Sequence, residues 1–366
     1  MLYVGSDDGV YRFGDALERE HRPAATRVLD AGSAMRLRSF DDPERPDGLF
    51  AATASGLHHS PDGDEWVDLG VPREAVYAVG ASADGRRLYA GTRPAAVYTA
   101  TVPDSSVLDA SALDWREREG FQALPSREHW RLPRHEDLAH VRDAKGLPGD
   151  PDGVVAAVEV GGVHASADRG ETWTERRGPI TDPRPEDAPG DAVDWSKRPG
   201  DVHDDVHELA VLDDSQWVAA TGFGLFETTD AGASWTRLDE DVEQGYFRTV
   251  RHNDGVTYAA AATSSSGNWD DPDVTAGFFA YTPDDGLREL EYDTPDEVVT
   301  GITVVDADDA DDANETADVD DADVRFAGTH RGSLLRETAT GEWTTVGAFP
   351  TDARSGTYTP LAWLAE

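Results

Sequence analysis

Hydrophobic and polar positions along the chain alternate with a period of two, in short runs broken by glycine turns. One unit recurs: a run of apolar and small residues, a turn containing glycine, then a second apolar stretch. Its copies begin at Leu2 (LYVGSDDGVYRF), Leu49 (LFAATASGLHHS), Leu88 (LYAGTRPAAVYTA), Val154 (VVAAVEVGGVHAS), Trp217 (WVAATGFGLFET), Thr257 (TYAAAATSSS, resuming at AGFFAY from Ala276) and Val324 (VRFAGTHRGSLLRE). Alternation with tight glycine turns predicts β-hairpins and not helices. A third apolar run precedes most hairpins: Met35–Phe40, Val76–Ala81, Val206–Leu212, Phe247–His252 and Val299–Val305. With one more strand after each hairpin, every unit holds four strands. The first hairpin has no run before it, while Thr357–Leu364 (TYTPLAWL) has the character of the missing strand. The pattern predicts an all-β chain: a seven-bladed β-propeller of four-stranded antiparallel blades, formed by residues 1–366 as one domain. The C-terminal strand joins the N-terminal blade, and ring closure removes exposed sheet edges.

A second motif follows several hairpins. Ser166-Ala-Asp168-Arg-Gly170-Glu-Thr-Trp173 and Thr228-Thr-Asp230-Ala-Gly232-Ala-Ser-Trp235 are full copies, and Ser60-Pro-Asp62-Gly63-Asp-Glu-Trp66 is a shortened one. The residue types are those of a turn: Asp accepts turn N–H groups, Gly supplies positive φ, and Trp packs between sheets. The motif resembles the Asp-box, or BNR repeat, and the whole chain resembles the WD40/YVTN/BNR-like propellers, sialidase-like and glycosyl hydrolase-like, most closely from Gly162 to Arg248. On that resemblance Asp62, Asp168, Gly170, Trp173, Asp230, Gly232 and Trp235 are structural, lying opposite the ligand face. The Arg-Ile-Pro motif of true sialidases is absent.

Hairpin starts 39 and 40 residues apart mark plain blades, whereas spacings of 63 to 67 mark insertions. Residues 116–138, 178–205 and 264–276 fall in loops on the face where propellers usually bind ligands; the acidic stretch 306–323 falls on the other. The second position of the innermost strands reads Arg36, Tyr77, His207, Arg248, Thr300 and Tyr358, with Asp137, Ala139 or His140 open for the fourth blade. Packing alone would place apolar residues there, so a polar pocket at the channel mouth is expected. Arg131, Arg134, His135, His203, Trp269 and Arg331 in the neighbouring loops complete the candidate ligand-binding set. Two histidines four apart, His203 and His207, enter a strand, where they stand about 13 Å from each other. No metal site and no cofactor are therefore expected.

Composition narrows the partners. Acidic residues number 73 against 32 basic ones, a net charge of −41, and there is no cysteine. Thiol chemistry and disulfides are excluded, and nucleic acid and anionic membranes would be repelled. Ten Trp, ten Tyr and eleven Phe argue for a packed core and against disorder. Only Lys145 and Lys197 are lysines, so 30 of the 32 basic residues are arginines. This balance resembles proteins of salt-in halophiles, where concentrated cations screen carboxylate repulsion. The melting midpoint is expected to rise between dilute buffer and multimolar KCl; an unchanged or lower midpoint would contradict a halophilic origin. The N-terminus has no signal-peptide pattern, so a cytoplasmic monomer is expected. The preferred function is non-catalytic binding of a small anionic or carbohydrate ligand, or of a protein. The alternative is a glycoside hydrolase with Glu136 as acid and Asp205 as its partner, which requires two carboxyls about 5–10 Å apart across a sugar cleft.

Overall fold

The computed structural model describes residues 1–14, 16, 24–40, 46–103, 108–132, 136–176, 204–306, 323–352 and 358–365. They form seven four-stranded antiparallel sheets, a seven-bladed β-propeller. Six blades start from an innermost strand: Ala34–Ser39 (blade 2), Val76–Ala81 (blade 3), His140–Leu147 (blade 4), Val206–Val211 (blade 5), Tyr246–Asn253 (blade 6) and Val299–Val305 (blade 7). Each is followed outward by the hairpin and then by a fourth strand, only two residues long in blades 2 to 5. Arg116–Glu117 is the fourth strand of blade 3, so the insertion expected from residue 116 begins only after Glu117.

The ring closes as the orphan runs at the two ends imply. Blade 1 takes its innermost strand from Leu361–Trp363, then Leu2–Ser6, Gly9–Phe13 and Ala25–Leu29. Leu2 pairs with Trp363 and Val4 with Leu361. The Gly5 N–H donates to the Pro360 carbonyl at 2.8 Å. A Cβ at Gly5 would stand 2.7 Å from the Pro360 ring, so the crossing requires glycine there. The core lies between adjacent blades: Leu2, Val4, Phe13, Phe326, Leu334 and Phe349 form one buried cluster joining blades 1 and 7.

The two full Ser/Thr-x-Asp-x-Gly turns have nearly the same geometry. Asp168 accepts from the Thr172 N–H (2.8 Å) and hydroxyl (2.6 Å), and Asp230 from the Ser234 N–H (2.8 Å) and hydroxyl (2.7 Å). Gly170 and Gly232 hold φ of 84° and 79°. Their N–H groups donate to the Ser166 and Thr228 hydroxyls. The Ser234 hydroxyl and N–H, joined by the Thr228 hydroxyl, hold the Asp230 carboxyl down at about 2. Trp235 donates across to the Arg176 carbonyl at 2.8 Å and packs against Trp217. Asp62 repeats the turn in shorter form, accepting from the N–H groups of Asp64 and Glu65.

Candidate functional site at the channel mouth

The innermost strands of blades 2 to 7 share an irregularity. In each, the ladder to the next strand steps over one residue: Met35, Tyr77, Arg142, His207, Arg248 and Thr300. A bulge frees a side chain from the alternation of the strand and re-aims it. Six bulges at one repeat position therefore build a ring of side chains near the start of the innermost strands. Tyr358, just before the closing strand, adds its ring to the same place: the pocket there is lined by Arg142, His207, Arg248, Thr300 and Tyr358, with Arg36, Arg38 and Glu208 also in its wall.

Two corrections to the expected ring follow. The stepped-over residue of blade 2 is Met35, so Arg36 occupies the next position, equivalent to Asp143 and Glu208. In blade 4 the residue is Arg142, not Asp137, Ala139 or His140.

The geometry centres on Tyr358. The guanidinium carbons of Arg142 and Arg248 each lie 4.5 Å from its ring centroid. Two cations thus share one electron-rich ring. Arg142 also donates to the Tyr358 hydroxyl and, at 2.6 Å, to Glu159. His140 reaches Glu159 at 2.9 Å and stacks on Tyr77 with centroids 4.5 Å apart. Tyr77 meets the Tyr358 ring edge-on at 6.2 Å. Burial, helped by the neighbouring Tyr358 phenol, pushes the Tyr77 hydroxyl up to about 12, so it remains a neutral donor. His207 donates from Nδ1 to the Phe247 carbonyl at 2.6 Å, and its Nε2 lies 3.6 Å from Asp205.

Below the mouth runs a buried ionic layer. Glu208 accepts from Arg36, from the Thr249 hydroxyl at 2.6 Å and from the Val250 N–H at 3.1 Å. Asp143 pairs with Arg38 at 3.3 Å and accepts from the Ala144 and Leu209 N–H groups. Burial would raise these carboxyls and Glu159, but facing cations outweigh it: Arg142 at Glu159, Arg36 at Glu208, and Lys145 with Arg36 at Asp143. All three are held below the ordinary carboxylate range.

The remaining candidates lie elsewhere or in other roles. Trp269 is buried with Tyr246, Ala262 and Val298 and donates to the Ser264 carbonyl, so its ring is a packing element. Trp130, in the 116–138 insertion, packs with Phe121 and His164 in the wall between blades 3 and 4. Arg131 is exposed and pairs with Asp137 at 2.7 Å; Arg331 pairs with Asp296 at 2.6 Å. Glu136 is exposed on a left-handed turn and pairs with Arg93, whereas Asp205 is buried beside His207. Arg134, His135 and His203 lie outside the described residues. Among the described residues no cluster of His, Asp and Glu could hold a metal ion.

No family model and no curated protein sequence matches the chain. Solved structures do. A GH74 xyloglucanase from Xanthomonas campestris aligns with a TM-score of 0.53 at 16% identity, over 85% of this chain and 45% of that one. YCF48 bound to D1 peptide aligns at 0.51 and 14%, over 90% and 85%. The WD40 propeller domain of Doa1 aligns at 0.51 and 9%, over 85% and 80%. The class they define is the seven-bladed β-propeller. The chain spans less than half the length of the xyloglucanase, and at these identities the likeness shows the fold alone.

Proposed function

We propose that this propeller is a binding protein whose upper channel mouth takes a small carboxylate- or sulfate-bearing ligand, such as an acidic sugar. The observation that carries the reading is the pair of guanidiniums, Arg142 and Arg248, against the one ring of Tyr358. Guanidiniums bind carboxylate through two parallel N–H bonds, and a fixed ring keeps the forks preorganised. Tyr77, half-buried beside them, offers an aromatic edge and a phenol donor to a sugar ring. In a chain of charge −41, such an inward-facing cationic mouth attracts an anion that the outer surface repels. The Asp-box reading of the turns and a halophilic origin fit this picture, with the turns as staples and the surface acids as an adaptation to salt.

A glycoside hydrolase would need a carboxyl held protonated near neutral pH. Around this channel Glu159, Asp143 and Glu208 are all displaced the other way, which favours binding over hydrolysis. Calorimetric titration of glucuronate, galacturonate, sulfated sugars and their neutral parents tests the reading. Arg248→Ala should weaken the acidic ligands by about tenfold to a hundredfold, the worth of one charge-assisted contact. Its melting midpoint should move little by comparison. Equal affinity for acidic and neutral sugars, or no binding by the native chain, would reject the site.

A further inference from the structure

One carboxylate oxygen at the mouth is shared by two nitrogens. Arg142 Nη1 reaches Glu159 Oε2 at 2.6 Å, and His140 Nε2 lies 2.9 Å from the same atom. All three side chains are buried, where charges act on one another strongly. Arg142 makes both of its side-chain hydrogen bonds, to Glu159 and to the Tyr358 hydroxyl, from Nη1. The Nε–Nη2 edge of its guanidinium makes no hydrogen bond among the described residues. Arg142 lines the pocket together with Arg248 and Tyr358. Glu159 thus holds the fork in place and also draws on the charge that an anionic ligand would use.

The charge state of His140 decides how strongly. A neutral imidazole donates one N–H to Glu159 and leaves the carboxylate charge to Arg142; an imidazolium supplies a full countercharge of its own. The other groups around His140 have different partners. Tyr77 of blade 3 stacks on it with centroids 4.5 Å apart, and its phenol stays neutral. Arg93, beside Tyr77, is paired with Glu136 at 2.8 Å. On the blade 5 side, His207 donates from Nδ1 to the Phe247 carbonyl, and its ring packs on Tyr246. The carboxylate nearest its Nε2 is Asp205, at 3.6 Å. The layer below is paired within itself, Arg36 with Glu208, and Arg38 and Lys145 with Asp143.

We infer that an anion enters this mouth together with a proton: His140 becomes an imidazolium, takes over the Glu159 charge, and leaves the Arg142 guanidinium to the ligand carboxylate. The inference rests on the anion site proposed above and adds its regulation by pH. Histidine is the side chain whose charge ordinarily changes between about pH 5 and 8. The sign follows from linkage. The bound form carries one more proton than the free form, so affinity strengthens as pH falls. It levels off where His140 is already charged in the free protein. His140 acts through Glu159 and Arg142 and does not itself touch the ligand, so it is a positioning residue.

The test is calorimetric titration of glucuronate, which stays ionised throughout, into the native chain in buffers of different ionisation enthalpy. The buffer dependence counts protons, and up to about one should be taken up per ligand near neutral pH. The Kd at about pH 6 should be about five- to tenfold tighter than at about pH 8. His140→Gln keeps an N–H for Glu159 but cannot gain a charge, so its proton uptake should vanish and its Kd should stay near the native high-pH value. Two-bond nitrogen–proton spectra of the native chain give a readout that needs no variant. One of the eleven histidine rings should turn from neutral to imidazolium on saturation with glucuronate, and its contact with the Tyr77 ring identifies it as His140. Binding of equal strength at both pH values without proton uptake would overturn this inference and leave the anion site standing. A proton that arrives on another ring would overturn the role of His140. Absence of binding at every pH would reject the anion site itself, and the inference with it.

Discussion

Truncation after Pro360 is expected to unfold the whole ring. Leu361, Ala362 and Trp363 are buried, and they pair with Val4, Tyr3 and Leu2. Loss of Leu361 and Trp363 burial alone costs about 3–6 kcal/mol, at about 1.5–3 kcal/mol for each large apolar side chain. The lost ladder bonds and the newly bare edge of Leu2–Ser6 add to that. Native stability is a difference of only about 5–15 kcal/mol, so little would remain. The cluster joining blades 1 and 7 includes Leu361 and Trp363, and Ala362 packs with Ala34, Leu37 and Leu49 of blade 2, so the damage spreads to both neighbours. Circular dichroism and size-exclusion chromatography of the truncated chain should show an expanded or aggregated species without a cooperative melt. A native spectrum with an unchanged midpoint would mean that ring closure contributes nothing.

The second large effect is expected at Glu208. This carboxylate answers Arg36 and Arg38 and accepts from the Thr249 hydroxyl and the Val250 N–H. Glu208→Ala would leave the buried Arg36 charge without its carboxylate, a loss of about 3–5 kcal/mol. Removing the charge as well, in Arg36→Met/Glu208→Leu, should recover much of that loss, because the desolvation cost disappears with the ions. Urea unfolding of the single and double variants measures both. A single variant within experimental error of the native chain would show that the layer is not an ionic support for the mouth. The sign with pH follows from the depressed Glu208 pKa: its stabilisation is present above the ordinary carboxylate range and is lost as pH falls through the lower folded value.

The fold was readable because blade hairpins repeat a two-residue alternation that few other structures produce, and because the run TYTPLAWL at one end matches a missing strand at the other. The expected fourth strand of blade 1, Ala25–Leu29, cannot be placed from its sequence because it carries no tryptophan and its burial is only partial. The site was only partly readable. Tyr77, His207, Arg248 and Tyr358 were picked out by recurrence at one repeat position, and they do meet. Arg36 was placed one residue out because a bulge leaves no mark in the alternation; Met35 and Arg36 are told apart only by which residue the ladder skips. Arg142, the partner of Arg248 at the Tyr358 ring, went unseen for a different reason. Its strand reads His-Val-Arg-Asp-Ala-Lys-Gly-Leu, with charges that look like a loop until Glu159, Leu209 and Arg38 are known to meet them. Partners distant in sequence make such a strand possible, and alternation carries no record of them.

The anion site proposed at the channel mouth is built on Tyr358. A crystal structure of the chain with glucuronate tests it most directly. The carboxylate is expected between the Arg142 and Arg248 guanidiniums, with the sugar ring toward Tyr77. A carboxylate bound elsewhere, or a mouth that stays closed to the ligand while both arginines remain engaged with protein groups, would contradict it.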